Sequence, residues 1–184
     1  MKRIIAPFCR EDAASLRCGE TIVLSGVIYT ARDAAHMRLA GLVERGEALP
    51  FPVERAVVYY AGPAPARPGS VIGSAGPTTS SRMDAFTPAL IKMGLAGMIG
   101  KGARSYEVVA AIREYGAVYF AAIGGAGALM ARCVESSEIV AYEELGAEAI
   151  RRLVVRDMPL TIAIDSEGND IYTQGREDYL RFRD

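Results

Sequence analysis

Stretches rich in Val, Ile and Tyr alternate along this chain with segments whose apolar residues recur at helical spacing. Each helical segment is entered through a glycine-rich or polar loop. That alternation restricts the fold to the α/β class, in which helices and strands pack as layers around a common core. Strands are expected at Thr21–Ile28, Ala56–Ala61, Ala96–Ile99, Ala117–Ala122, Arg152–Val155 and Leu160–Asp165. Helices are expected at Ala34–Glu44, Met83–Met93, Tyr106–Tyr115 and Gly127–Cys133, with a short one near Glu177–Phe182. The sequence Asp165-Ser166-Glu167-Gly168-Asn169 reads as a turn that returns into a strand at Ile171–Thr173. Asp33, Ser81 and Ser105 are the expected N-caps, since their side chains accept from orphan amides of a first helical turn.

The 184 residues suit one domain spanning 1–184, long enough to bury a substantial core. The three prolines of Ala61–Gly69 read as a rigid loop inside that domain rather than as a linker. A formal charge of −1 gives no basic excess for nucleic acid and no basic amphipathic stretch for a membrane surface. No apolar run approaches the roughly 20 residues that cross a bilayer. The basic, briefly apolar start ends at Pro7, Arg10, Glu11 and Asp12, too early for a signal peptide, so a cytoplasmic location is expected.

Chemistry concentrates in the run Gly73-Ser74-Ala75-Gly76-Pro77-Thr78-Thr79-Ser80-Ser81-Arg82-Met83-Asp84. Glycines permit tight turns, hydroxyls and amides face outward, and Arg82 adds a fixed positive fork. Amides, helix dipole and guanidinium together favour a carboxylate or phosphate. Other motifs fail inspection. Gly100-Lys101-Gly102 lacks both the upstream glycine and the following Ser or Thr of a nucleotide-binding loop. Gly125-Ala126-Gly127 has Met130 where a dinucleotide fingerprint needs a third glycine, which leaves a tight strand-to-helix turn. His36 is the single histidine, and no Gly-x-Ser-x-Gly nucleophile turn is present; a hydrogen-bonded structural role is expected for it. Asp33 and Asp84 offer a carboxylate pair for acid–base work, although both also suit helix starts. Cys9, Cys18 and Cys133 are odd in number and widely spaced; they read either as thiols in a reducing compartment or as the three ligands of an iron–sulfur cluster with one open iron. What remains is Arg32, Arg82 and Lys101, each beside glycine or a hydroxyl at the end of an expected strand, where ligands of α/β folds bind. Together they suit a small di-anion.

These residues also carry a resemblance. Ser25-Gly26, Ala31-Arg32-Asp33-Ala34-Ala35-His36, Tyr59-Tyr60-Ala61-Gly62-Pro63-Ala64, the Gly73–Asp84 run, Gly100-Lys101-Gly102, Gly124-Gly125-Ala126 and Asp165–Asp170 follow one another as in a known family. The chain resembles the β subunit, or C-terminal domain, of the class I iron–sulfur fumarate hydratases and L-tartrate dehydratases. The resemblance implies a swivelling β/β/α fold and reversible hydration of fumarate to (S)-malate, a step of the tricarboxylic acid cycle; the tartrate-type relatives dehydrate L-tartrate. It implies a [4Fe-4S] cluster held by a partner α subunit and no metal ligand in this chain, because Cys9, Cys18 and Cys133 fall outside the family's ligand motifs. Arg32, Arg82 and Lys101 match residues that bind substrate carboxylates, and Thr78 matches a threonine beside the reacting carbon. Asp33 stands as an orienting residue for Arg32. A hetero-oligomer with the α subunit is implied, the isolated chain being inactive or self-associated. Where the family commonly has Met-Glu-Ala-Ile-Trp, this chain has Ala147-Glu148-Ala149-Ile150-Arg151, a segment expected to lie away from the anion-binding set. A non-catalytic dicarboxylate-binding or assembly module is the alternative of another class, and a stand-alone nucleotide-binding domain is disfavoured by the broken motifs.

Overall fold

Two long strands organise the chain, whose computed structural model describes residues 1–123 and 125–175. β2 (Thr21–Thr30) and β7 (Ile150–Ile164) run antiparallel, paired from Thr21 opposite Thr161 to Thr30 opposite Arg151. Each is also used on its other edge. β2 receives β1 (Lys2–Ala6) along Ile22–Gly26 and β3 (Val57–Tyr59) at Tyr29 and Thr30. β7 receives β6 (Val134–Ala141) at its beginning and β5 (Val118–Ala121) near its end, and β4 (Gly97–Gly100) lies between β3 and β5. The result is a mixed α/β domain in which β2, β3, β4, β5 and β7 close a small five-strand barrel-like sheet.

Alternation along these strands feeds two separate cores. Ile22, Leu24, Val57, Ile99, Phe120 and Ile162 belong to one cluster, with Phe8, Leu16 and Met130 covering it. Gly97 shows how full that cluster is: a Cβ there would lie 3.1–3.2 Å from Phe120, Phe8 and Val57. The opposite-facing residues Tyr60, Met98 and Tyr119 pack against α2 (Asp33–Glu44), α3 (Thr87–Lys92) and α4 (Tyr106–Tyr115) through Leu39, Leu90 and Ile112. Strands apolar on both faces read as continuous hydrophobic runs, which is why they stood out in the sequence. Two smaller helices, α1 (Arg10–Ala14) and α5 (Gly127–Arg132), lie against the first cluster.

Several expectations are corrected. The segments Arg152–Val155 and Leu160–Asp165 are parts of the one strand β7, which bends at Asp157 (φ 48°) and carries Pro159 opposite Val23. Met83–Met93 is not one helix. A 3-10 turn, Ser80–Met83, precedes α3, whose Pro88 sits in its first turn, where a missing N–H is tolerated and a continuous helix is not. Ser81 lies inside that turn instead of capping it, and Asp33 is the first residue of α2, with Arg32 at the cap position. Ser105 does cap α4, its Oγ accepting from Val108 N–H. The turn at Asp165 forms, with its carboxylate accepting from the amides of Glu167 and Asn169. It does not lead into a strand: only Ile164 and Asp170 bridge, and 171–175 is helical because the Asp170 carboxylate accepts from Tyr172 N–H. The helix expected near Glu177–Phe182 lies outside the described residues. β1, α1 and β6 were not expected; β6 carries the polar run Glu135-Ser136-Ser137-Glu138 along an outer edge, so its apolar signal is weak. No helix among the described residues is long and apolar enough to cross a membrane.

Candidate functional site

β2, β3 and β4 run parallel, so their C-terminal ends open on the same edge of the sheet. Past β2 comes Arg32, past β3 the Tyr60-Ala61-Gly62 segment, and past β4 Lys101. The Gly73–Asp84 run is laid across these ends. Gly73 N–H donates to Ala64 C=O, and a Cβ at Gly73 would stand 2.3 Å from that oxygen. Tyr59 O–H donates to Ala75 C=O at 2.5 Å, and Pro77 bridges Ala61. Thr78 N–H then donates to Tyr60 C=O at 2.7 Å, while Thr79 bridges Lys101 and Ser80 N–H donates to Lys101 C=O at 2.9 Å. Thr78 is half-buried; Thr79 and Lys101 are exposed.

Gly127 secures the other side of the run. Its carbonyl accepts from Ala75 N–H, and a Cβ would meet Ser74 Oγ at 2.4 Å. Gly127 therefore serves close approach of α5 to this loop, whereas Gly125 has open space around it and takes the left-handed region (φ 82°), in keeping with the failed fingerprint. Gly100 is similarly constrained, a Cβ there falling 1.9 Å from Ser80 Oγ. Ser80 Oγ–H donates to the Tyr119 hydroxyl at 2.9 Å, which itself donates to Gly102 C=O.

The charged groups meet around Asp33. Its Oδ2 accepts from Arg32 Nε at 3.1 Å and its Oδ1 lies 2.8 Å from Arg82 Nε. Burial by itself would raise the Asp33 carboxyl, but hydrogen bonds from its own amide and Arg32, with the Arg82 charge, outweigh that and hold it below the usual carboxylate range. Arg32 Nη2 lies 3.4 Å from Glu148 Oε1, and Glu148 Oε2 accepts from Ala34 N–H at 2.7 Å. Glu148 thus satisfies an orphan amide of α2 and grips the arginine that caps it. The segment around Glu148 was expected away from the anion-binding set; the structure places it in contact with Arg32. Nothing local in the sequence reveals this, because Arg32 and Glu148 lie 116 positions apart. Gly62 leaves room for the guanidinium, whose Nη1 would be 3.0 Å from an added Cβ.

His36 is fully buried and takes the structural position expected of it. Its Nδ1–H donates to the Arg32 carbonyl at 3.2 Å, and desolvation lowers its pKa to about 4. Asp84 is not paired with Asp33. It is held by Arg104 Nε at 2.7 Å and by Ser105 N–H at 2.7 Å. Arg104, missed in the sequence, is fully buried at its side chain.

The three thiols lie apart. Cys9 Sγ donates to Asp12, Cys18 Sγ to Ala163 C=O and Cys133 Sγ to Leu129 C=O. Burial, with nearby carboxylates, raises Cys18 and Cys133. Among the described residues no three His, Cys, Asp or Glu side chains come together to hold a metal. This donor set does not fit an iron–sulfur cluster.

One strand edge thus carries a hydroxyl loop, two guanidiniums linked through Asp33, and a lysine. The profile of the family described as Fumarase C-terminus matches residues 3–175, and the chain belongs to that family. It is 38% identical over 171 residues to a candidate L(+)-tartrate dehydratase subunit beta of Methanocaldococcus jannaschii, covering 90% of this chain and 88% of that one. It is 38% identical over 176 residues to the aerobic class I fumarate hydratase of Escherichia coli, covering 95% of this chain. Against a mitochondrial fumarate hydratase 1 of Leishmania major it is 40% identical over 153 residues, covering 82% of this chain. The chain spans most of the methanogen protein but only 31% and 28% of these two fumarate hydratases.

Proposed function

We propose that this chain is the β component of a two-component [4Fe-4S] hydro-lyase that reversibly hydrates fumarate to (S)-malate. The cluster belongs to a partner α subunit, and the domain swivels against that partner as a β/β/α unit in the cytoplasm. The observation that carries the reading is the Arg32–Asp33–Arg82 link beside Lys101 on one strand edge. Family membership and the names of the relatives support the reaction class.

In this reading Arg32, Arg82 and Lys101 take the two carboxylates of the substrate. Guanidinium forks suit carboxylate oxygens, and the ammonium adds a mobile point charge. Removing a proton beside a carboxylate builds negative charge on that carboxylate, and fixed cations stabilise it more strongly there than in the ground state. Thr78 Oγ1 handles the proton at the reacting carbon. A threonine hydroxyl is a weak base, so the cationic surroundings and a partner group lower the cost of its ionised form. Asp33 holds the two arginines at a common separation.

Co-expression with the α chain, anaerobic reconstitution and assay of fumarate, malate and L-tartrate test the proposal. Fumarate hydration by the complex and none by this chain alone is expected. Thr78→Val should abolish turnover while dicarboxylate affinity persists; unchanged turnover would leave a binding or assembly module. Absence of hydro-lyase activity from the complex, or full activity from this chain alone, would overturn the reading. The near-complete coverage of the methanogen protein favours L-tartrate dehydration as the second reading, and the same assay separates the two.

A further inference from the structure

Beneath the exposed edge, the loops that carry Arg82 and Lys101 are joined by a buried ion pair. Asp84 closes the 3-10 turn two residues after Arg82, and Arg104 follows Lys101 by three. Arg104 Nε meets Asp84 Oδ1 at 2.7 Å, and the other carboxylate oxygen accepts from Ser105 N–H. The guanidinium lies between two rings, 5.3 Å from the centroid of Tyr60 and 4.9 Å from that of Tyr119. Its Nη2 donates to Thr87 Oγ1 at 2.9 Å, and that hydroxyl donates to Met83 C=O. Nη1 is buried with no partner among the described residues.

An ion pair in this setting is a poor source of stability, because desolvation of both charges offsets their attraction. What it provides is a fixed register, since a carboxylate and a planar guanidinium meet in few geometries. The two loops are also tied nearer the surface, where Ser80 N–H donates to Lys101 C=O and Thr79 bridges Lys101. One attachment therefore lies on each side of Arg82. With Ser80 and Asp84 both fastened to the Lys101–Ser105 segment, Arg82 cannot shift along it.

We infer that Asp84 and Arg104 are positioning residues whose ion pair fixes Arg82 relative to Lys101, and so sets the carboxylate separation the site accepts. The ligand in this inference rests on the dicarboxylate reading above; the geometry does not.

The test compares wild type, Asp84→Asn, Arg104→Lys and Arg104→Met, each as full chain assembled with its partner subunit. Steady-state kcat and KM are measured for fumarate and for the five-carbon diacid glutaconate, alongside thermal midpoints. The isolated full chain supplies a second readout, the NMR signals of the Arg82 Nε–H and of the Thr79 and Lys101 amides. Asp84→Asn and Arg104→Met should raise the fumarate KM at least tenfold, with a smaller change in kcat, and weaken discrimination against glutaconate at least fivefold. Arg104→Lys keeps the charge without the fork and should rescue little. The three NMR signals should move in every variant. Unchanged KM and discrimination with only a lowered midpoint would overturn the inference, leaving the pair as packing. Should Arg104→Met fail to fold, Asp84→Asn retains an acceptor for Ser105 N–H and decides the matter. If the wild-type complex hydrates no diacid, the functional reading falls separately. Static Arg82 and Lys101 signals in Asp84→Asn would then still overturn the positioning role.

Discussion

Arg82 Nε stands 2.8 Å from Asp33 Oδ1, although the two residues lie on different loops 49 positions apart. Because the other Asp33 oxygen takes Arg32 Nε, one carboxylate sets the distance between two guanidiniums. With Glu148 on Arg32, two cations face two carboxylates, and Lys101 adds a further positive charge on the neighbouring loop.

Asp33→Asn should therefore cost affinity even though it removes a negative charge from the proposed anion site. Charge-assisted hydrogen bonds contribute about 1.5–3 kcal/mol each, so losing the alignment of both arginines should raise the dicarboxylate KM by roughly ten- to a hundredfold. Steady-state kinetics of the assembled enzyme provide the check. A lowered KM would mean that the charge of Asp33 opposes binding more than its geometry helps.

Glu148→Ala removes an acceptor from the first turn of α2 and should destabilise the chain by about 1 kcal/mol in urea unfolding. Glu148→Gln keeps an acceptor for Ala34 N–H and should recover most of that loss. Both substitutions should loosen Arg32, read as a broadened Arg32 Nε–H signal.

Gly100→Ala pushes a methyl against Ser80 Oγ and should cost about 1–3 kcal/mol by overpacking. Ser80→Ala removes the obstructing oxygen together with its bond to Tyr119. The double variant should be less destabilised than the sum of the single ones, a coupling that a double-mutant cycle measures directly.

The buried imidazole of His36 predicts a definite pH response. Its folded pKa, about 4, lies below the unfolded value near 6.5, so the unfolded chain binds the proton more readily between these limits. Its contribution is present in full above pH 6.5 and is lost as pH falls towards 4, by about 3 kcal/mol at most. Urea unfolding across pH 7 to 4 should show this slope, reduced by about one proton in His36→Asn. An unchanged slope would assign the acid response to carboxylates such as Asp33 instead.

Much of this site was legible in the chain because its signals are local. Glycines packed against the Ala64 backbone at Gly73 and against the Ser80 side chain at Gly100, and hydroxyls at a strand end, mark themselves by residue type. Arg32, Arg82 and Lys101 could be placed at strand ends for the same reason. The partners Glu148 and Arg104 could not, since a carboxylate that reaches a helix start over 114 residues has no periodicity to betray it. Closure of the sheet was hidden similarly: β7 carries Asp157 and Pro159, residues that locally argue for a break, while pairing with β2 keeps the strand continuous. β1 and β6 are outlying strands exposed along part of their length, so their polar residues obscured the alternation.

The pairing of β2 with β7 has a consequence for how the protein is made. Thr21 and Thr161 face each other across 140 positions, so the sheet cannot close while the ribosome still holds β7. At about 5–20 residues per second, the nascent chain waits seconds between emergence of β2 and arrival of its long partner. Arg32, Thr78, Arg82 and Lys101 are all synthesised within that interval. Their loops must gather on an unclosed sheet, and the last strand then locks them in place. Such long-range closure makes for slow folding, and the open edge of β2 is the surface a chaperone or a neighbouring nascent chain meets first.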